Sequence, residues 1–348
     1  MSSSSSSATS AAAAAASTAE EDLRHCVTVV ARDAPLAYHA VLALPAGDAR
    51  ECAFAVQALV EETGRAAEAG GASGAGEGLA LARLGWWAMA VDAAFAPASA
   101  SESASASVSA SASPLPASPV VRALARAAER GRLSRRWAAR VVEARVRDVH
   151  DGIGRRGPVH MGELEQFGDD VHGSALLLTL QGGGVASVAA DHAAAHVGKA
   201  AGVCLALRHL VRHGARRRTY MPRTVLARHG LAQEALFRAA HAVAAGDAKG
   251  MASAEFGASR DKIAASASEV ALVAREHLVQ ARNISGQARD AGSFTSGALA
   301  PLYQAALLEV YLDALEADGW DALRPAAVSP AANAWALLRT YAKGSFWR

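Results

Sequence analysis

No stretch of this chain alternates apolar and polar residues with period two for long enough to make a strand. Apolar residues recur instead at spacings of three and four, as at Leu84, Trp87 and Val91, the spacing of a helix face. Alanine dominates the apolar set; it favours helix and lets helices approach closely. Hydrophobic residues make up 51% of the chain and aromatic residues only 5%, so small side chains must fill most of a sizeable core. The expected class is all-α. With about 150 residues per domain as a soft guide, 348 residues make one large domain or two small ones.

Charge removes further classes. Charged residues are 20% of the chain and the formal net charge is +2, which speaks against a generic nucleic-acid binder. The bias of 31 Arg to 4 Lys, with the excess of Ala, Gly and Ser, reads as GC-rich codon usage. Cys26, Cys52 and Cys204 are scattered and form no CxxC, which excludes a disulfide framework and a Cys-rich zinc site. No apolar run reaches the roughly 18–20 residues of a membrane span. The longest candidate, Ser174 to Leu207, is broken by Gln181, Asp191, His192, His196 and Lys199. The expectation is a soluble protein, at most peripheral on a membrane.

Residues 1–20 read as a disordered Ser/Ala-rich tail or a transit peptide; the missing acids suit targeting and the missing Arg does not. Residues 21–348 read as one helical domain, with a low-complexity insertion at about 97–118. Glu20 to Arg65 is helical with a break near Pro45, and Gly64 to Gly78 breaks helix. Pro119 suits a helix start, and Val120 to His150 is amphipathic and basic. Met161 to Leu180 and Ser187 to Arg212 are helices separated by Gly182, Gly183 and Gly184. Further helices are expected over about 223–228, 232–245, 254–284, 296–317 and 330–342.

The most unusual local feature lies between Asp191 and Glu234. Its 42 residues hold no acid but carry Arg208, Arg212, Arg216, Arg217, Arg218, Arg223 and Arg228. Arg forks match anionic oxygens, so this segment is either a site for a diphosphate, lipid head group or acidic partner, or a solvated face. His192/His196 and His209/His213 have i, i+4 spacing, which can chelate a transition metal, but no third ligand is evident and packed or surface histidines are the plainer reading. Glu61 and Glu62 are candidate Mg²⁺ ligands, although neighbours on a helix point apart. There is no P-loop, no GxGxxG after a strand, no HExxH and no GxSxG.

Several segments together resemble one family. Gly198-x-Ala200, Leu207-Arg208 and Arg218-x-Tyr220-Met221-Pro222 resemble the second signature of squalene/phytoene synthases, and the spacing from Arg208 to Pro222 fits without a gap. Ala144-Arg145 and Asp148 resemble the family's AR-x-x-D helix. Phe54 to Arg65 falls where the first Asp-rich helix would be, and Leu81 to Trp87 resembles the Leu-x-x-Trp helix after it. The resemblance covers about residues 35–345 and implies an isoprenoid-synthase-like helical domain around a central cavity.

The departures fall at the chemistry. Active members carry two DxxxD motifs whose carboxylates hold Mg²⁺ against a substrate diphosphate. Here the first motif begins at Glu61 and ends at Arg65, and the two Asp of the second are His209 and His213. Imidazole is a poor ligand for Mg²⁺. The Gln and Asn of the family's QLxN segment fall on Gly202 and Leu205.

Asp191 to Ala200, His213 to Arg218 and His229-Gly230 are similar to one branch of that family, the mitochondrial complex I assembly factor 6 type. That resemblance implies a non-catalytic protein on the matrix side of the inner membrane. It would act in early biogenesis of the ND1 membrane-arm module and contact the nascent subunit or other assembly factors, with no nucleic acid and no cofactor. The alternative is an active head-to-head prenyl transferase using Mg²⁺, for instance in a plastid. Glu61, Glu62, Arg65, Arg208, His209, His213, Arg218 and Tyr220 are the degenerate cavity positions, none of them assigned a catalytic or metal-binding role.

Overall fold

The computed structural model describes residues 3–69, 74–96, 116–131, 133–290 and 296–343, of which 3–15, 74, 75, 289, 290, 296–299 and 341 are described as backbone only. Among the described residues there is no strand, as the missing period-two pattern requires. Helix α1 runs Ser3–Asp33, so the backbone of the Ser/Ala-rich leader is helical where a disordered tail was expected. Its alanine run carries the highest helix propensity of any residue. Most of the expected insertion at 97–118 lies outside the described residues.

Pro35 stops α1, because the residue before a proline is driven out of the helical region; Ala34 has φ −134°. Helix α2 (Pro35–Leu42) follows, then α3 (Asp48–Glu68) and α4 (Gly74–Ala94). Helix α3 runs straight through Gly64, which the sequence suggested as the start of a break. A Cβ on Gly64 would sit 3.3 Å from Arg145 Nη2, so the glycine makes room for that side chain. Helix α5 (Pro119–Gly131) starts on its proline as expected, and α6 (Arg135–His150) is a separate helix.

The expected helix from Met161 to Leu180 is α7 (Met161–Gly168), a π-helical turn (Asp169–Gly173) and α8 (Ser174–Gly182). The long Ala-rich helix also divides: α9 (Val188–Arg208) ends at His209, with φ −100° and ψ 14°, and α10 (Leu210–Gly214) resumes beyond it. The chain continues through α11 (Arg223–Arg228), α12 (Gln233–Ala245) and α13 (Ala254–Asp290). A 3-10 stretch (Ser296–Tyr303) holds Pro301, which has no N–H to offer an α-helix, and leads into α14 (Gln304–Ala317). Helix α15 (Pro330–Lys343) is the last.

Two helices organise the packing. Helix α3 lies against α1, α4, α5, α6 and α8; helix α9 lies against α13, α7 and the π-helical turn. Helix α9 buries Ala190, Ala193, Ala194, Val197, Ala200, Val203, Ala206 and Leu207 and leaves Asp191, His192 and Arg208 exposed toward its ends. It crosses α7 and the turn on glycines. A Cβ on Gly198 would lie 2.3 Å from Gly173 N, and one on Gly202 would lie 2.5 Å from Gly168 Cα. The core is built mainly of Ala, Val and Leu, and Cys26, Cys52 and Cys204 are buried free thiols within it. Among the described residues no helix is long and apolar enough to cross a membrane.

Candidate functional site

A cavity of about 280 Å³ opens between α3 on one side and α9, α10 and α14 on the other. A single water needs only about 10–15 Å³ on this scale, so the space suits a larger guest. Helix periodicity builds its first wall. Glu61, Arg65 and Glu68 stand at i, i+4 and i+7 on α3 and face the cavity together. The break at His209 brings Arg208, His209, Arg212 and His213 to the opposite wall. Helix α6 adds Arg145, α7 adds Leu164 and Phe167, the π-helical turn adds His172, and α14 adds Leu308 and Tyr311.

Of the positions singled out in the sequence, Glu61, Arg65, Arg208, His209, His213 and Tyr220 line this cavity. The four places where the resemblance puts metal-binding carboxylates are Glu61, Arg65, His209 and His213, and they converge on this one cavity. Glu62 and Arg218 do not line it. Glu62 turns to Arg65, 2.7 Å away, and Arg218 lies behind Tyr220.

Asp148 lies behind the cavity-lining Tyr220 and is 1% exposed. It accepts hydrogen bonds from Tyr220 Oη at 2.6 Å, Arg218 Nη2 at 3.1 Å and the Gly154 amide at 2.8 Å. Arg218 also donates to Tyr220 Oη at 3.0 Å. Burial and the Asp148 charge push the Tyr220 phenol up, so it stays a donor. Its ring stacks on Phe167 at 5.5 Å. Gly154 is required here, because a Cβ would lie 2.4 Å from Arg218 Nη2. The turn that delivers Arg218 passes through Arg217 at φ +56°, an uncommon conformation for a non-glycine residue.

Glu68 anchors the mouth. It pairs with Arg212 and, at 3.2 Å, with Arg216, and His213 Nε2 stands 3.6 Å away. Burial would push its carboxyl up, but His213 and Arg212 outweigh that and hold it at about 2. The histidines move the other way. Burial, then Arg145 and His209, takes His172 to about 3. Burial, then His213 and Arg212, takes His209 to about 4. Burial also lowers His213, only partly offset by Glu68. All three are therefore neutral imidazoles at neutral pH. Burial pushes the Glu61 carboxyl up against the pull of Arg145.

The basic segment is largely a solvated face, most of whose arginines are held in ion pairs, with Arg218 alone of the seven buried. Arg212 and Arg216 pair with Glu68, Arg217 with Glu234, Arg218 with Asp148 and Arg228 with Glu269. The acids come from elsewhere in the chain. The other histidine pair also separates: His196 Nδ1 meets His277 Nδ1 at 2.9 Å, and His277 Nε2 meets Glu165 at 2.7 Å.

The donor set does not suit Mg²⁺, which wants several oxygen ligands. Glu68 is taken by guanidinium groups, and Asp33 is held by Arg32 at 2.9 Å and Arg65 at 3.2 Å. Only Glu61 among these carboxylates makes no hydrogen bond or ion pair in the described residues. No group of three or more His, Cys, Asp and Glu is placed to hold a metal among the described residues.

Sequence reasoning missed Glu68, His172 and the isolation of Arg145. Glu68 was findable, since it continues the Glu61 and Arg65 face by one more turn. His172 carries no comparable signal, because its inward aim depends on the π-helical turn.

A profile of the squalene/phytoene synthase family matches residues 37–332. The NADH dehydrogenase (ubiquinone) complex I assembly factor 6 of Bos taurus is 29% identical over 215 residues, 62% of this chain and 57% of its own length. The Homo sapiens protein of that name is 36% identical over 123 residues, 35% of this chain and 36% of its own. The Drosophila melanogaster homolog is 30% identical over 219 residues, 62% of this chain and 58% of its own. The matched part of the chain thus spans 36–58% of the length of these relatives. Among solved structures, a dehydrosqualene synthase in complex with ligand aligns with TM-score 0.60 at 15% identity, covering 93% of this chain and 97% of its own. Squalene synthase HpnC from Alicyclobacillus acidocaldarius aligns with TM-score 0.62 at 15% identity, covering 87% and 96%. At that identity the likeness concerns the fold alone, the all-α architecture around a cavity that the sequence leads one to expect.

Proposed function

Because this chain belongs to the squalene/phytoene synthase family, we propose that it keeps the fold without the family's metal-dependent chemistry and serves instead in the assembly of respiratory complex I. The observation that carries this reading is the convergence of Glu61, Arg65, His209 and His213 on one cavity. Three of the four positions that would bear carboxylates hold guanidinium or imidazole. The loss therefore lies at the reacting centre and not in a peripheral loop. A metal-bridged diphosphate would meet Arg65 and two imidazoles in place of carboxylates, so its ionisation is unsupported.

The assembly role rests on likeness to proteins of that name in Bos taurus, Homo sapiens and Drosophila melanogaster. Under this reading the chain works in the mitochondrion, on the matrix side of the inner membrane and peripheral to it. There it would act early, on the ND1 module, in contact with the nascent subunit or other assembly factors.

The test is complex I abundance in cells lacking this protein, read on a native gel by in-gel NADH-dehydrogenase staining. Loss of the complex I band, restored by the full chain, is the expected result. A normal band overturns the assembly role. Prenyl product from geranylgeranyl diphosphate and Mg²⁺ with the purified protein overturns the non-catalytic reading.

A further inference from the structure

The last acid of the chain is Asp321, and the residues after it carry Arg324, Arg339, Lys343 and Arg348 against no Asp or Glu. Asp321 itself is held by Arg260 at 2.7 Å and faces Arg324 at 3.5 Å. Helix α15 lies in this acid-free stretch, nearly all of it past residue 332, where the family match ends. It packs on α14 and touches α2. Asn333 and Thr340 are buried on one face, while Trp335 is 64% and Leu338 60% exposed on the other. Ala331, Ala334 and Ala342 are exposed around them, so the outer stripe is apolar. Arg339 and Lys343 follow Trp335 at i+4 and i+8 and flank that stripe. Neither makes a side-chain hydrogen bond or ion pair among the described residues.

The stripe continues onto the corner between α2 and α3. Leu338 shares a groove of about 350 Å³ with Ala43, Leu44, Pro45 and Arg50. Leu42, just before that corner, is 41% exposed. Arg50 donates to the Leu44 carbonyl at 2.9 Å and meets no carboxylate among the described residues. The acids nearest to it in sequence, Asp48 and Glu51, pair with Arg130. Large apolar side chains exposed together mark a contact surface. Tryptophan, with an apolar ring and one N–H, favours the boundary between water and lipid, and unanswered cations beside it suit an anionic surface. Helix α4 supplies the contrast. It too exposes apolar side chains, Trp86 and Met89, but its charged residues are Glu77, Asp92 and a single arginine, Arg83.

We propose that the outer face of α15, with the α2–α3 corner beside it, is a docking surface for an anionic phospholipid bilayer. Trp335, Leu338 and Leu42 enter the headgroup layer, and Arg339 and Lys343 meet its phosphates. Among the described residues no helix can cross a membrane, so the contact lies along the bilayer surface. This surface deepens the peripheral placement proposed above and rests on that reading only for which membrane is meant.

Co-sedimentation of the full-length protein with vesicles tests it, using phosphatidylcholine alone and phosphatidylcholine with about one-fifth phosphatidylglycerol. The mixed vesicles should bind at least roughly tenfold more tightly, and raised salt should undo the difference. Arg339→Gln with Lys343→Gln should weaken that binding roughly twenty- to thirtyfold, since each cation near an anionic surface contributes about fivefold. Trp335→Ser should weaken it roughly tenfold, without lowering the melting temperature, and serves if the double variant does not fold. Met89→Ser on α4 should leave it unchanged. Equal binding to both vesicle types overturns the surface, as does unweakened binding by both α15 variants or equal weakening by Met89→Ser. Absence of vesicle binding overturns it in favour of a protein partner. A concentration-dependent dimer that Trp335→Ser dissolves overturns it in favour of a second copy. None of these outcomes alters complex I abundance in the deletion strain, so the two readings fail separately.

Discussion

Two polar clusters, one behind Tyr220 and one around Arg145 in the cavity wall, are finished to different degrees. Around Asp148 the groups answer one another: carboxylate, phenol, guanidinium and backbone amide are bonded in a closed set, with only Arg218 Nε left over. Around Arg145 the closure is partial: Arg65 pairs with Glu62 and Asp33 and His213 faces Glu68, but Arg145 Nε, Arg65 Nε, His172 Nε2 and His213 Nδ1 are buried without a partner among the described residues. The first cluster is a structural fastener, holding the loop after α10 against α6. The second leaves Arg145 without a counter-ion among the described residues. Hydrogen-bond satisfaction separates the two where residue identity cannot.

The comparison is broken most severely at Asp148. Asp148→Ala leaves Arg218 as a buried cation with no counter-ion and should cost about 3–5 kcal/mol in urea unfolding. A loss below about 1 kcal/mol would mean the fastener is not one. Tyr220→Phe keeps the stacking on Phe167 but removes the hydroxyl from a charged set, for a loss of about 1.5–3 kcal/mol by the same measurement.

A pH series comes next. The folded pKa of His209 is about 4 and that of His172 about 3, against 6.5 for free imidazole. The unfolded chain therefore binds more protons as pH falls from 6.5, and stability drains away until the folded values are passed. Glu68 adds a second decline from its unfolded value of 4.5 toward about 2, as its arginine pairs are lost. His209→Asn should flatten the stability profile between pH 6.5 and about 4 while leaving the decline below it. An unchanged profile would show that His209 does not titrate as described.

The smallest effect belongs to the open cluster. Arg145→Met removes a desolvated charge and gives up a contact with Phe167 worth about 0.5–1 kcal/mol. Stability should stay within about 1 kcal/mol of the parent or rise. A loss as large as that of Asp148→Ala would place Arg145 with the fasteners and erase the contrast.

Much of this was legible in the chain itself. Absent alternation and abundant alanine gave the helical class, Pro119 marked a helix start, and the spacing around Arg208 to Pro222 located the site. What stayed hidden depended on neighbours distant in sequence. The pairing of Arg212 and Arg216 with Glu68 joins residues about 150 positions apart, so a basic run that is exposed, as it reads, is also partnered, which the sequence does not show. The break of α9 at His209 and the π-helical turn before Ser174 answer to packing and carry no proline or cap to announce them. The leader, which composition suggested would lack structure, is helical along its backbone because alanine propensity acts locally.

The glycine crossing of α9 also bears on whether such a protein can travel back. Where the family's signature has a glutamine, Gly202 lies so near Gly168 Cα that even a single added carbon would stand 2.5 Å from it. Replacing Arg65, His209 and His213 by aspartate would restore acids to the cavity, but the glutamine would have to lever two helices apart to enter. On the proposed non-catalytic reading, the way back to metal-dependent chemistry is therefore obstructed by steric closure as well as by charge, and reversion one residue at a time meets a wall of backbone.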